Sequence, residues 1–315
     1  MIKSSVCDLA GIEYPIFQGG MAWISDGVLA AAVSNGGGLG IISAMNADSE
    51  YLRSQIEVAR KLTDKPFGVN IMLMSPFVDE VARIVAEEKI PVVTTGAGNP
   101  AKFMESWLTA GIKVMPLVAS VAMAKLVSRT GAVAVIAEGS ESGGHVGDIS
   151  TMALVPQVSD AVDIPVIAAG GIGDGRGVAA AFMLGAQGVQ LGTRFLVADE
   201  CMVHVNYKDK VLKATDISTI ATGKRLGHPV RSLKTPFSKE YLKAEYDSNI
   251  SNLELEELGA GALRLAAVEG DAEKGCFLAG QIAGLVTKRQ PAAEIVREIF
   301  DEAEILLRGA GKWVK

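Results

Sequence analysis

The chain has 315 residues, 49% of them hydrophobic and 21% charged, with a formal net charge of -6. That apolar content supports a large folded core and excludes a disordered chain, and the acidic balance argues against nucleic acid or an anionic membrane surface as a general partner. No apolar run near the start resembles a signal peptide, and none approaches the roughly 20 residues of a membrane span, so a cytoplasmic protein is expected.

In chain order, YPIFQGG, GGLGIIS, KPFGVNIML and IPVVTTGAG are short apolar runs bounded by turn residues, followed by IKVMPLVAS, AVAVIAEG, IPVIAAGGI and GVQLGTRF. They predict eight strands. SEYLRSQIEVARKL, PFVDEVARIVAEE, NPAKFMESWLTA and VAAAFMLG predict helices between them. Strands that are apolar throughout and alternate with helices favour a parallel sheet with a helical cover. Eight such units before Phe195 fit an α/β fold of the (β/α)8 TIM-barrel type better than an open sheet. Beyond Phe195 the rhythm changes. CMVHVNYKDKVLKA reads as a helix, ATGKRLGHPVRSLKTPF as a loop, and SNLELEELGAGALRLAAVEG with EKGCFLAGQIAGLV as a second helical layer. PAAEIVREIFDEAEILL then predicts an amphipathic closing helix. The expected organisation is a barrel over 1–200 and 290–315, with a small, mostly helical subdomain over 201–289 inserted after strand eight and capping the mouth.

The stretch from Ala132 to Ser150, AVAVIAEGSESGGHVGDIS, carries the chemistry. A β-branched strand opens at Glu138 into a glycine-rich loop that presents His145, and the loops after parallel-barrel strands are where catalytic groups sit. Imidazole titrates nearest physiological pH. Glu138 and Ser142 have weaker claims, since either serves equally well as a cap or loop-closing group. After strand seven, Gly170, Gly171 and Gly173 allow close backbone approach, and after strand eight Gly192 and Thr193 offer N–H groups and a hydroxyl. Together they predict a phosphate cradle, with ordinary turns as the alternative. Across the barrel, Gly19, Gly20 and Ala22 leave room for a flat ring whose polar edge Asn70, Thr94 and Thr95 can bond. A phosphate at one side and a planar heterocycle at the other describe a mononucleotide. FMN fits better than pyridoxal phosphate, because no strand end carries the lysine of a Schiff base. Cys7, Cys201 and Cys276 are odd in number and far apart, so they predict buried or half-buried thiols, with neither disulfides nor a metal site.

QGGMAW, KPFGVN, AEGSESGGHVGD, TMALVPQV, AAGGIGDGRG, GTRF, RSLKTPF and VEGDAEKGCFLAGQIAGL, in this order, resemble the FMN-dependent enoyl-[acyl-carrier-protein] reductase II family within the nitronate monooxygenase superfamily. The resemblance covers nearly the whole chain. It implies reduction of the trans-2 double bond of enoyl-ACP, the last step of the fatty acid elongation cycle, with NADH or NADPH as co-substrate through flavin N5. His145 becomes the catalytic candidate, with Ser142 and the backbone of Gly143 and Gly144 orienting it or receiving the oxyanion. The implied FMN set is Gly19, Gly20, Met21, Ala22, Asn70, Thr94, Thr95, Glu138, Gly143, Gly144, Ala169, Gly170, Gly171, Gln190, Gly192 and Thr193. Nitronate-oxidising relatives often place a lysine on strand five to hold their anionic substrate. Here that run is VMPLVAS, without charge. IMP dehydrogenase shares the cradle but needs a cysteine in the loop after strand six, which this chain lacks. From Ile220 to Lys239 the chain holds Lys224, Arg225, Arg231, Lys234 and Lys239 and no acid, an expected landing site for acyl-carrier protein or a diphosphate. A homodimer and the choice between NADH and NADPH are left open.

Overall fold

The structure, a computed structural model, describes residues 2–45 and 48–314. Eight parallel strands form the barrel: β1 (Ile16–Gln18), β2 (Gly40–Ser43), β3 (Phe67–Met72), β4 (Val92–Gly96), β5 (Lys113–Val118), β6 (Val135–Glu138), β7 (Val166–Ala169) and β8 (Gly188–Leu191). From β2 to β8 each strand pairs with the next, and β8 pairs with β1. The ring closes between β1 and the approach to β2, where Phe17 bridges Leu39 in parallel. Each of the eight apolar runs in the sequence contains one of these strands.

Strand alternation sorts the side chains into two layers. Phe17, Ile41, Val92, Met115, Ile136 and Ile167 fill the barrel interior. Ile42, Val69, Val93 and Val114 face outward against Leu52, Ile56, Ile84, Val85 and Trp107 of the helices. Two helices begin at caps visible in sequence: Asp48 accepts from Tyr51 N at 2.9 Å to start Ser49–Leu62, and Asp26 accepts from Leu29 N at 2.9 Å to start Gly27–Asn35. Ser49–Leu62 buries Leu52, Ile56 and Ala59, the spacing of one helical face. The closing helix Ala292–Arg308 lies against Gly175–Met183, close enough that a β-carbon at Gly175 would come 2.5 Å from Ala303 N.

Two features after β8 differ from expectation. The basic stretch expected as a loop contains an antiparallel hairpin, β9 (Thr219–Thr222) and β10 (Val230–Leu233). β10 also pairs with the two-residue strand Gly144–His145 from the loop after β6. Four-residue strands of mixed polarity carry almost no periodicity, and their pairing comes from the tertiary fold. EKGCFLAGQIAGLV starts in a turn, holds one 3-10 turn, Gln281–Leu285, and is otherwise irregular, with Leu278 bridging Ser232. Gly275, Gly280 and Gly284 interrupt its helical pattern. Tyr207, Leu233, Ala266, Phe277 and Ile282 share one core with Leu191 and Phe195 of the barrel, whereas Phe237, Tyr241, Ala244, Leu255 and Ala262 form a cluster of their own. Among the described residues no helix is long and apolar enough to cross a membrane.

Candidate active site at the barrel mouth

The eight strand ends form the floor of the mouth. Register and alternation set Asn70 beside Thr94, Glu138 beside Ala169, and Gln190 beside Phe17, all on the interior side. Asn70 Nδ2 donates to Thr94 Oγ1 at 2.9 Å. The buried Gln190 Oε1 has no protein partner, and neither does Ser142 Oγ. Native proteins leave few such groups unpaired, so Gln190 and Ser142 call for a partner here, a bound polar molecule or water. Thr95 stands apart: it shares the outward side of Val93, toward the helices, so alternation separates it from the mouth.

The loop after β1 crosses this floor. A β-carbon at Gly20 would collide with Asn70, and one at Gly19 would come 3.2 Å from Gln190. Without β-carbons the loop can lie directly against Asn70 and Gln190, which it clamps. Met21 Sδ lies 3.6 Å from the position of a β-carbon on Gly192, joining this loop to the far side of the mouth, and Ala22 is buried behind it.

β7 and β8 are neighbours, so the glycines expected to form the cradle lie at adjacent strand ends. Gly170 and Gly171 have φ of 86° and 72°, a left-handed pair open to glycine and costly for other residues. Gly192 precedes the 3-10 helix Thr193–Val197, which has no side-chain cap. Uncapped N–H groups at such a strand end are of the kind that hold phosphate in parallel barrels. By contrast, Asp174 already caps helix Gly175–Met183, accepting from Arg176 N at 3.0 Å and Gly177 N at 3.2 Å. Thr193 Oγ1 accepts from Gly280 N at 2.8 Å, which leaves its hydroxyl proton available for a ligand.

The loop after β6 completes the ring. His145 is exposed, and desolvation followed by the neighbouring His228 lowers its pKa, keeping the imidazole neutral near pH 7. Burial raises the Glu138 carboxyl to about 7, partly offset by the nearby Ser142 hydroxyl, which is close to it without aligning for a hydrogen bond. Gly143 packs against the backbone of Ala279 and Gly280, and Gly144 lies near Leu278.

Three contributors escape sequence reasoning. Glu141 accepts from Thr151 N at 2.9 Å and Thr151 Oγ1 at 3.0 Å, and Thr151 Oγ1 in turn lies 2.9 Å from Gly170 O, so this carboxylate ties the His145 loop to the cradle. Nothing in local spacing reveals a contact ten residues away. Gly280 is the second, brought in by a segment whose glycines looked like helix defects. Arg231 is the third: its basic character was visible and its use was not. Arg231 Nε donates to Ser140 O at 3.1 Å, and Arg225 donates to the carbonyls of Glu245, Asp247 and Ile250. These two are occupied within the fold, which removes them from the expected landing surface. Lys224, Lys234 and Lys239 remain exposed. His204 also has an internal role, accepting from Asn206 N at the start of helix Val205–Leu212.

A parallel barrel with glycines at the ends of β7 and β8, unpaired polar groups on its floor and a histidine loop at its rim has the layout of a TIM-barrel enzyme, and the comparisons place it among oxidoreductases. The chain belongs to the nitronate monooxygenase family, whose model matches residues 3–82 and 74–302. It is 49% identical to FabK from Thermotoga maritima over 100% of both chains, with a TM-score of 0.97, which bears out the resemblance drawn from the motifs. It is 32% identical to a probable nitronate monooxygenase of Staphylococcus aureus over 97% of this chain and 99% of that one. It is also 38% identical, over 234 residues, to the (3aS,4S,5R,7aS)-5-hydroxy-7a-methyl-1-oxo-octahydro-1H-indene-4-carboxyl-CoA dehydrogenase of Rhodococcus jostii, covering 74% of this chain and 66% of that relative.

Proposed function

We propose that the protein is an FMN-dependent enoyl-[acyl-carrier-protein] reductase that uses NADH or NADPH. One observation carries the choice between the two family activities. The barrel strands end in Gln18, Ser43, Met72, Gly96, Val118, Glu138, Ala169 and Leu191, with no lysine or arginine among them. A nitronate anion finds no cation there, while a neutral thioester needs none. Full-length likeness to FabK supports the same side.

The residues fit FMN: Gly170, Gly171, Gly192 and Thr193 would hold its phosphate, and Asn70, Thr94 and Gln190 the polar edge of its ring. Bound FMN supplies the relay of hydride from nicotinamide to substrate. In the net reaction NAD(P)H and a proton reduce the 2,3 double bond, hydride ending on C3 and the proton on C2. Negative charge develops on the thioester oxygen, and a preorganised donor there lowers the barrier. The neutral His145 imidazole supplies an N–H to that oxygen from the rim. Glu138, titrating at about 7, holds a proton at its carboxyl for part of the population at neutral pH. The exposed Lys224, Lys234 and Lys239 offer attraction to an acidic carrier protein. Anaerobic stopped-flow mixing tests the reading: NAD(P)H should bleach the flavin and crotonyl thioester should restore its colour. Bleaching by an alkyl nitronate, without response to nicotinamide, would replace it with the monooxygenase reading.

A further inference from the structure

The loop carrying His145 does not hold its own shape. Its tip is a strand of two residues, too short to persist alone, and it exists because β10 lends it an edge: His145 registers with Val230 and Gly144 with Arg231. Val146 N continues the contact, donating to Pro229 O at 3.0 Å. The start of the loop is held by a side chain from the same strand. Arg231 reaches across its own hairpin and donates from Nε to Ser140 O at 3.1 Å, while Nη1 donates to Thr219 Oγ1 at 3.2 Å on β9. Adjacent Glu141 gives the guanidinium a favourable carboxylate neighbour, and the same carboxylate is bonded to Thr151.

The hairpin that supplies this support is itself anchored at its turn. Glu245, only 3% exposed, accepts from Gly223 N at 3.0 Å and Arg225 N at 2.9 Å. Leu233 N donates to Phe277 O at 2.8 Å at the other end. The chain thus places a rigid strand behind a loop that is mostly glycine and small polar residues.

We infer that Arg231 is a positioning residue for His145: its side chain fixes the entry of the active-site loop while the backbone of the same strand pairs with the tip. The inference rests on the reductase reading for its kinetic consequence, but the loop-ordering it asserts does not. A planar guanidinium bonds Ser140 O and Thr219 Oγ1 together, from two nitrogens in a fixed geometry that an ammonium does not reproduce. Displacement of a catalytic group by about 1 Å costs on the order of 10²-fold in rate.

The test compares Arg231→Lys and Arg231→Ala with the wild-type holoenzyme by single-turnover kinetics and by amide hydrogen exchange over residues 140–146. Flavin reduction by NAD(P)H should be unchanged, reoxidation by an enoyl thioester should fall about 10²-fold in both variants, and exchange over the loop should accelerate. Millimolar guanidinium should partly restore Arg231→Ala and not Arg231→Lys. If Arg231→Lys behaves as wild type in reoxidation and exchange, the residue acts only through its charge and the inference fails. Loss of flavin reduction together with reoxidation in both variants would make Arg231 a general folding residue and equally overturn it. If the wild type itself ignores enoyl thioesters, the reductase reading falls, while unchanged exchange in the variants would still refute the clasp and accelerated exchange would sustain it.

Discussion

Glu138 is the one ionisable strand end in the mouth, and replacing it by glutamine has a consequence that can be worked out in advance. Burial raises the carboxyl from its ordinary 4.5 to about 7. The folded state therefore takes up this proton more readily than the unfolded chain, so the contribution to stability is fully present below pH 4.5 and is lost as pH rises through about 7. At about 1.4 kcal/mol per pH unit the difference amounts to about 3 kcal/mol, an upper bound because the half-buried side chain keeps some solvent contact. Glu138→Gln removes the ionisation while preserving shape. In urea unfolding of the cofactor-free protein, the variant should be more stable than wild type at pH 8, by up to about 3 kcal/mol, with the difference shrinking toward pH 4.5. A stability difference that does not change between pH 4.5 and 8 would refute the reasoning, because it would mean that the carboxyl is not raised by burial.

Gly171→Asp places a side chain on a residue with φ of 72°, its β-carbon 3.4 Å from Glu141 Oε1 and its charge in the cradle; the purified variant should be folded by circular dichroism but colourless, and a yellow, fully loaded protein would locate the phosphate elsewhere. His145→Ala should keep FMN and its reduction by NAD(P)H yet slow reoxidation by enoyl thioester about 10²- to 10⁴-fold in stopped flow. Lys234→Glu with Lys239→Glu, chosen because both side chains are exposed, should raise KM for acyl-carrier-protein substrates much more than for N-acetylcysteamine thioesters. Added salt should narrow that gap, since exposed charges are screened within about 10 Å; equal effects on both substrates would refute the docking role.

The barrel was legible because its signals are local. Each strand is a buried apolar run, and helices such as Ser49–Leu62 show both their cap and their buried face in sequence. The glycines proposed to form the cradle were visible for the same reason, as Gly170 and Gly171 are adjacent and Gly192 directly precedes Thr193. What stayed hidden depends on partners far along the chain. Arg231 looks like a surface cation until its hairpin is folded against Ser140. Nothing near Gly19 and Gly20 in sequence reveals that Gln190 and Asn70 lie against them. Thr94 and Thr95 look equivalent as letters, yet strand alternation sends them to opposite faces.

The most direct measurement of the central claim is product analysis. Purified holoenzyme is incubated anaerobically with NADH or NADPH and trans-2-enoyl-acyl-carrier protein, and the acyl chain is weighed by mass spectrometry. The proposed reductase function predicts a product heavier by two hydrogens, with one nicotinamide oxidised for each double bond reduced. An unchanged enoyl chain beside consumption of an alkyl nitronate and oxygen would contradict it.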